Sequence, residues 1–195
     1  IYGAVKASGN IMSLLGQSII GLEPYAFSYM FSGCTSLTTT PELPATVLAD
    51  RCYSSMFSSC TSLTTTPELP ATVLATGCYS SMFYGCTSLT TAPELPATAL
   101  ADRCYYSMFR GCTSLTTAPE LPATALASYC YSSMFYGCRK INYIQCLAKE
   151  NVGLLSSTNS WVRNVSESGT FVQKTGVTWR TGINGIPRGW TIVKN

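Results

Sequence analysis

A chain of 195 residues, 46% of them hydrophobic, is long enough to bury a sizeable core, which excludes a disordered segment. Only 11% of the residues are charged, so the polar surface has to be built from neutral Ser and Thr, and a net charge of +3 scattered along the chain does not mark a nucleic-acid binder. No run of 18 apolar residues is present, which excludes a membrane-spanning helix.

The charge is divided unevenly. Residues 34–137 carry three Arg against six acidic groups, 3 − 6 = −3, and residues 138–195 carry eight basic against two acidic groups, 8 − 2 = +6. The basic groups lie among apolar residues and form no cluster, so no nucleic-acid partner is expected. No basic, apolar, small-residue series marks a signal peptide, and the chain starts at Ile1. It is expected to be a mature or trimmed fragment, from which any export signal or upstream domain would have been lost.

From the N-terminus, residues 11–20 form an irregular apolar segment expected to pair with the first repeat. Residues 25–33 then align with 51–59 as a partial unit. The stretch CTSLTTTPELP starts at Cys34 and Cys60, and CTSLTTAPELP at Cys86 and Cys112, a fixed period of 26. A period of that length signals a solenoid whose units bury their apolar faces only against neighbours. A last partial unit starts at Cys138, where an ungapped alignment sets Ile141 and Leu147 in the two Leu columns and Cys146 in the Glu column.

Each unit changes period partway. Residues 36–43 are rich in Thr and bounded by turn residues, which suits a short strand. Because Pro41 and Pro44 cannot donate to a ladder, only three to five residues should be regular. Strict alternation buries Leu37, Thr39, Pro41 and Leu43, whereas a bulge near Pro41 buries Leu37, Thr40 and Leu43, and Ala92 and Ala118 in the Thr40 column favour the bulge. Over 45–57 the stripe Leu48, Cys52, Met56, with Ala49, Tyr53 and Phe57 beside it, predicts an amphipathic helix. Thr46 would cap its start, and the Gly at 85, 111 and 137, replaced once by Ser59, would end each helix in a left-handed residue.

The expected fold is therefore α/β, a right-handed leucine-rich-repeat solenoid of 26-residue strand-turn-helix units with a parallel sheet on the concave face. Curvature follows from strands spaced ~4.8 Å apart and helices ~8–10 Å apart. The expected organisation is an N-terminal segment with a partial repeat (1–33), the solenoid with four full repeats and a final strand (34–147), and a C-terminal cap (148–195). In the cap, residues 157–165 predict a short helix, 169–174 a strand, and 183–193 a Gly-Pro turn leading into a last strand. Trp161, Trp179 and Trp190 read as cap core in preference to a ligand platform.

These features resemble the BspA-like leucine-rich-repeat proteins of bacterial cell surfaces. The blocks AFSYMFSGC and CYSSMFYGC, the unit CTSLTTAPELPATALA, the opening ASGNIMSLL and the closing GTFVQKTG with GINGIPRGW carry the resemblance, which covers nearly the whole chain. It implies an exported, cell-surface or secreted protein acting as an adhesin.

Nine of ten Cys fall in two columns, Cys34, Cys60, Cys86, Cys112, Cys138 and Cys52, Cys78, Cys104, Cys130. Disulfides and zinc both have to be considered. Metal ligands must converge on one point, and a column offers a ladder with no CxxC pair and no His, so no metal is expected. Disulfides need Cα atoms within ~7 Å, which neighbouring strands but not helices could supply. Free, buried thiols are the favoured reading.

Near-copies also put like groups in rows, and a catalytic site needs unlike groups at one place, so no catalytic residue and no cofactor is expected. The absence of His removes the commonest general base. Glu42, Glu68, Glu94 and Glu120 form a row in which neighbours ~5 Å apart repel by about 0.8 kcal/mol in water. A solvated rim is the plain reading, and a site for a divalent cation or basic ligand the sharper one.

Variable columns are Asp50-Arg51, Thr76-Gly77, Asp102-Arg103 and Ser128-Tyr129, then Ser58, Tyr84, Arg110 and Tyr136. They read either as drift at exposed positions or as contact residues, since exposed Tyr and Arg are favoured hot-spot types. The joint change of Thr40 with Val47 to Ala92 with Ala99 reads as packing compensation or as copying between repeats. The candidate binding residues are Thr38, Glu42, Glu68, Glu94, Glu120, Tyr84, Arg110 and Tyr136. The expected partner is a protein or glycan on host or neighbouring cells, and the alternative role is a spacer displaying a further domain.

Overall fold

The computed structural model describes residues 3–15, 21–149 and 156–195. Its regular elements are few: β1 (Val5–Lys6), a 3-10 helix (Ile11–Leu15), β2 (Leu37–Thr39), β3 (Tyr143–Cys146), β4 (Thr170–Gln173) and β5 (Thr191–Lys194). β1 pairs in parallel with β2, and β3, β4 and β5 form a second parallel sheet. Isolated parallel bridges such as Val47 to Val73 and Thr117 to Tyr143 join successive coils, so the chain is a solenoid-like stack. Pairing with the first repeat runs through Val5 to Ile11, so of the segment expected to pair, 11–20, only Ile11 takes part among the described residues, and 16–20 lie outside them.

The helix predicted over 45–57 is absent, and with it the cap assigned to Thr46. Its place is taken by consecutive tight turns. The amides of Arg51, Tyr53, Ser55, Phe57 and Ser59 donate to the carbonyls of Thr76, Cys78, Ser80, Met82 and Tyr84 in the next coil, at 2.6–3.0 Å. The amides between them, Cys52, Ser54, Met56, Ser58 and Cys60, donate three residues back within their own coil, at 3.1–3.2 Å. All ten successive amides are thereby satisfied without a helix.

The ladder needs a positive φ at every fourth residue: Arg51, Ser55 and Ser59 at 54–60°, and Gly77, Ser81 and Gly85 at 54–70°. Its burial pattern therefore also repeats in fours, with Cys52-Tyr53, Met56-Phe57 and then Cys60 turned inward. Over three turns a period of four and a helical period of 3.6 produce the same stripe, which is why the sequence pattern reads as a helix.

The ladder continues past the last full repeat. Tyr131, Ser133, Phe135 and Gly137 donate to Ser157, Asn159, Trp161 and Arg163, so the helix predicted over 157–165 is also a coil of turns, with positive φ at Ser160 and Asn164. The predicted strands over 169–174 and at the C-terminal end of 183–193 are present as β4 and β5. Hydrogen-bonded coils on the turn side are spaced like the strand side, so the curvature expected from wide helices is not imposed.

The core is a set of columns. Leu37, Leu63, Leu89, Leu115 and Ile141 are buried, as are Leu43, Leu69, Leu95 and Leu121. Pro41 is buried as strict alternation predicts, but Thr65, Thr91 and Thr117 face outward and Ala118 is buried, as the bulge predicts. The chain thus bends after Thr39 so that Pro41 turns inward and the column of Thr40 is half-buried, becoming fully buried at Ala118. Tyr53, Tyr79, Tyr105 and Tyr131 stack at 5.9–6.1 Å between centroids, and Phe57, Phe83, Phe109 and Phe135 at 5.7–6.0 Å. Each such stacked pair adds about 0.5–1.5 kcal/mol to the burial of its rings. Val47 and Val73 are 66% and 74% exposed, so the change to Ala99 does not compensate for Thr40.

The Gly33, Ser59, Gly85, Gly111, Gly137 column has φ of 60–78°, where an L side chain costs about 1–2 kcal/mol, partly offset by the greater freedom of unfolded Gly. Ser59→Gly is expected to raise stability by about 0.5 kcal/mol, and Gly111→Ala to lower it by about 1 kcal/mol, in urea unfolding. A Cβ at Gly111 would meet only ordinary contacts at 3.7 Å, so the backbone angle alone is tested. Destabilisation by Ser59→Gly would contradict the strained column.

Candidate binding surfaces

The ten cysteines are free, and nine are buried. Cys34 is the exception to the core-facing column and is exposed. The thiols of Cys60, Cys86, Cys112 and Cys138 donate to the carbonyls of Phe31, Phe57, Phe83 and Phe109 in the preceding coil, at 2.9–3.1 Å. A sulfur engaged in this way stitches two coils together, a role that Leu or Val cannot fill. Burial pushes the thiols of Cys60, Cys86 and Cys138 up to about 12 from the usual 9.0 and that of Cys52 to about 11, so none of these four is a nucleophile near neutral pH. Among the described residues no three Cys, Asp or Glu converge as a metal site.

Cys146 is not in the Glu column. Its bridge partner is Leu121, only 25 residues back, so the last unit is one residue short; Cys146 fills the buried Leu position, and Gln145 stands where the repeats have Glu. The ungapped alignment missed this deletion, although the polar-apolar order Gln145-Cys146 repeats Glu120-Leu121.

On the strand side, Glu42, Glu68, Glu94 and Glu120 are exposed in one row. Shallow depressions lined by the Pro-Glu-Leu-Pro segments link Glu42 to Glu68, Glu68 to Glu94, and Glu94 to Glu120, making one continuous groove. Gln145 extends the row, donating its side-chain amide to Glu120 Oε1 at 2.9 Å and accepting from the Tyr143 hydroxyl at 3.0 Å. Thr38, by contrast, donates its hydroxyl to the Val5 carbonyl at 3.1 Å and serves the pairing of β1 with β2.

At the far end of the turn ladder, Tyr84, Arg110 and Tyr136 come together as a stack. The Arg110 guanidinium lies 5.7 Å from the Tyr84 ring centroid and 4.5 Å from that of Tyr136, and Arg163 lies 5.6 Å from Tyr136 on the adjoining coil. Arg163 is not reached by counting in 26s, since it lies beyond the repeats and is offset by 27 residues from Tyr136.

The other variable columns also have partners. Asp50 Oδ1 accepts from the Thr76 amide, and Asp102 Oδ1 from the Ser128 amide, at 3.0 and 3.1 Å. Arg51 stacks on Tyr25 and donates to its hydroxyl at 2.6 Å, and Arg103 stacks on Tyr129. The Asp-Arg unit thus alternates with a unit that receives it. The order Asp50, Thr76, Asp102, Ser128 displays this alternation in the sequence.

The three Trp are buried and each indole N–H donates to a backbone carbonyl, of Gly185, Ala148 and Ser166 respectively. Trp161 follows Met134 by 27 residues and takes the Met position of the added coil, between the two aromatic columns. There it packs at 6.2 Å against both Tyr131 and Phe135.

Parallel coils with inward Leu columns and rows of like residues on the surface define a leucine-rich-repeat array, a scaffold for binding. A family profile, the BspA type leucine rich repeat region, matches in six copies over residues 27–157, and the chain belongs to that family. Searches of curated proteins and of solved structures returned no match. Among the described residues no helix is long and apolar enough to cross a membrane.

Proposed function

We propose that this chain is a non-catalytic adhesin, exported to the cell surface, that engages a host or bacterial protein or a glycan through its repeat surface. The observation that carries the reading is the arrangement of like side chains in rows: four Glu in one groove, and Tyr and Arg alternating along another edge. Rows of this kind multiply weak contacts through effective concentration, and they assemble no set of unlike groups around one reacting atom. Residues 156–195 act in this reading as the cap closing the stack, with Trp161 as its central side chain. Burial also suits the nine inward thiols to an oxidising exterior, since reagents reach them only on unfolding.

The test uses purified protein on immobilised matrix proteins, glycans and whole cells. Glu68→Gln with Glu94→Gln is expected to weaken attachment several-fold while leaving the melting temperature within a few degrees, because both carboxylates are exposed. Unchanged attachment would remove the Glu row from the binding surface, and no attachment by the wild-type protein would favour a spacer that displays a further domain.

A further inference from the structure

We propose that the column Tyr84, Arg110, Tyr136, Arg163 is a binding site for an acidic polysaccharide, one bearing carboxylate or sulfate groups; this deepens the adhesive reading above and rests on it. Arg110 and Arg139 line one shallow groove with Tyr84, Tyr136 and Asn164, and none of the residues lining it is acidic. Among the described residues, Arg110, Arg139 and Arg163 have no carboxylate and no hydrogen-bond acceptor, in contrast to Arg51, whose guanidinium is engaged by the Tyr25 hydroxyl. Arg110 and Arg139 therefore stand in one groove, with Arg163 beside it on the Tyr136 ring, and the forks of all three are unused. A guanidinium offers two parallel N–H bonds to a carboxylate or sulfate, and stacking on a ring fixes its plane before the ligand arrives.

The floor beneath this column is Gly85, Gly111 and Gly137, where a side chain would find only the neighbouring glycine or Ser59 nearby. The groove thus follows the stacking axis and suits a thin linear polymer. Arg110 and Arg163 sit on coils separated by that of Tyr136, a spacing comparable to a disaccharide. Tyr84 is 39% exposed, and the residue one coil back in its column, Ser58, has no ring to cover its remaining face. An open aromatic face beside fixed cations favours a ring that stacks through C–H groups and carries its charge at the edge. An acidic peptide uses the cations and leaves that face idle, which is why a polysaccharide is favoured.

Heparin serves as the probe, with neutral dextran, poly-glutamate and duplex DNA as comparisons, on the whole chain at low and physiological salt. The wild-type protein is expected to bind heparin with strong salt dependence and to ignore dextran. Arg110→Gln with Arg163→Gln should weaken binding about tenfold or more and flatten the salt slope, because two charge-assisted contacts are lost. Arg110→Lys with Arg163→Lys should fall between, keeping charge but losing the fork. Tyr84→Ala should weaken binding several-fold, and the equal charge change Arg180→Gln with Lys194→Gln should not. A melting temperature near that of the wild type shows that each variant is folded.

No heparin binding, equal losses from the Arg180 and Lys194 pair, or poly-glutamate or DNA binding as tightly as heparin would each overturn the proposal. If it fails while the Glu68 and Glu94 variants still impair attachment, the adhesive reading stands without this ligand class. If heparin binding behaves as expected while those Glu variants change nothing, the acidic groove is dispensable and the Arg column carries adhesion.

Discussion

Raising the pH from 8 to about 11 is expected to unfold the protein in one steep step, because nine buried thiols titrate only when the stack opens. Burial lifts Cys60, Cys78, Cys86, Cys130, Cys138 and Cys146 to about 12 and Cys52 to about 11, and raises Cys104 and Cys112 as well, from an ordinary value of 9.0. Between pH 9 and 12 the folded chain keeps protons that the unfolded chain has released. The stabilising contribution is therefore complete below pH 9 and is lost as pH climbs towards the folded values. Each such group removes up to about 1.4 kcal/mol per pH unit, and nine together exceed the ~5–15 kcal/mol of an ordinary domain soon after pH 9 is passed.

Burial likewise raises the phenols of Tyr53, Tyr79, Tyr105 and Tyr131, which acts in the same direction at still higher pH. Circular dichroism and thiolate absorbance, recorded together against pH, check this. Nine thiolates should appear with the loss of structure. Gradual ionisation near pH 9 with the fold intact would contradict the buried columns.

Trp161→Ala is expected to cost about 4 kcal/mol, read from urea unfolding. The indole is fully buried, closes both aromatic columns, meets Phe171 and Trp179 at 6.2 and 5.5 Å, and donates to the Gly185 carbonyl at 2.8 Å. Its removal leaves a cavity where the aromatic columns of the last full repeat meet residues 156–195. Since each coil of an array is held chiefly by its neighbours, amide exchange should accelerate most in 129–137 and least in 51–59. Trp161→Phe, which retains one ring contact, should cost about half as much. A loss below about 1 kcal/mol, or uniform acceleration along the stack, would show that Trp161 does not close the columns.

The period of 26 and the buried columns of Leu, Cys, Tyr, Phe and Met are legible in the residues, because stacking copies leaves each column one environment. The conformation between columns is not. The stripe Leu48, Cys52, Met56 fits helix and turn ladder alike, and what decides is the set of bonds from Arg51, Tyr53 and Ser55 to the next coil, which involve backbone groups identical in every residue. Arg51 and Ser55 at positive φ carry no signature of their own, since a side chain is tolerated there once the neighbouring coil holds the backbone.

For the candidate sites, the rows Glu42 to Glu120 and Tyr84 to Tyr136 could be read from spacing alone. Arg163 and Gln145 could not, because each lies where the period slips by one residue, and a fixed count carries past it.

The reciprocal fit of Asp50 with Thr76, and of Asp102 with Ser128, bears on how such a gene can change length. Excising residues 60–85 would set Asp50 against Asp102 and Arg51 against Arg103, like charge facing like. Excising 60–111 would bring Asp50 to Ser128 and Arg51 to Tyr129, the same neighbours Asp102 and Arg103 already have. Recombination between copies should therefore be tolerated least when it sets two Asp-Arg coils side by side.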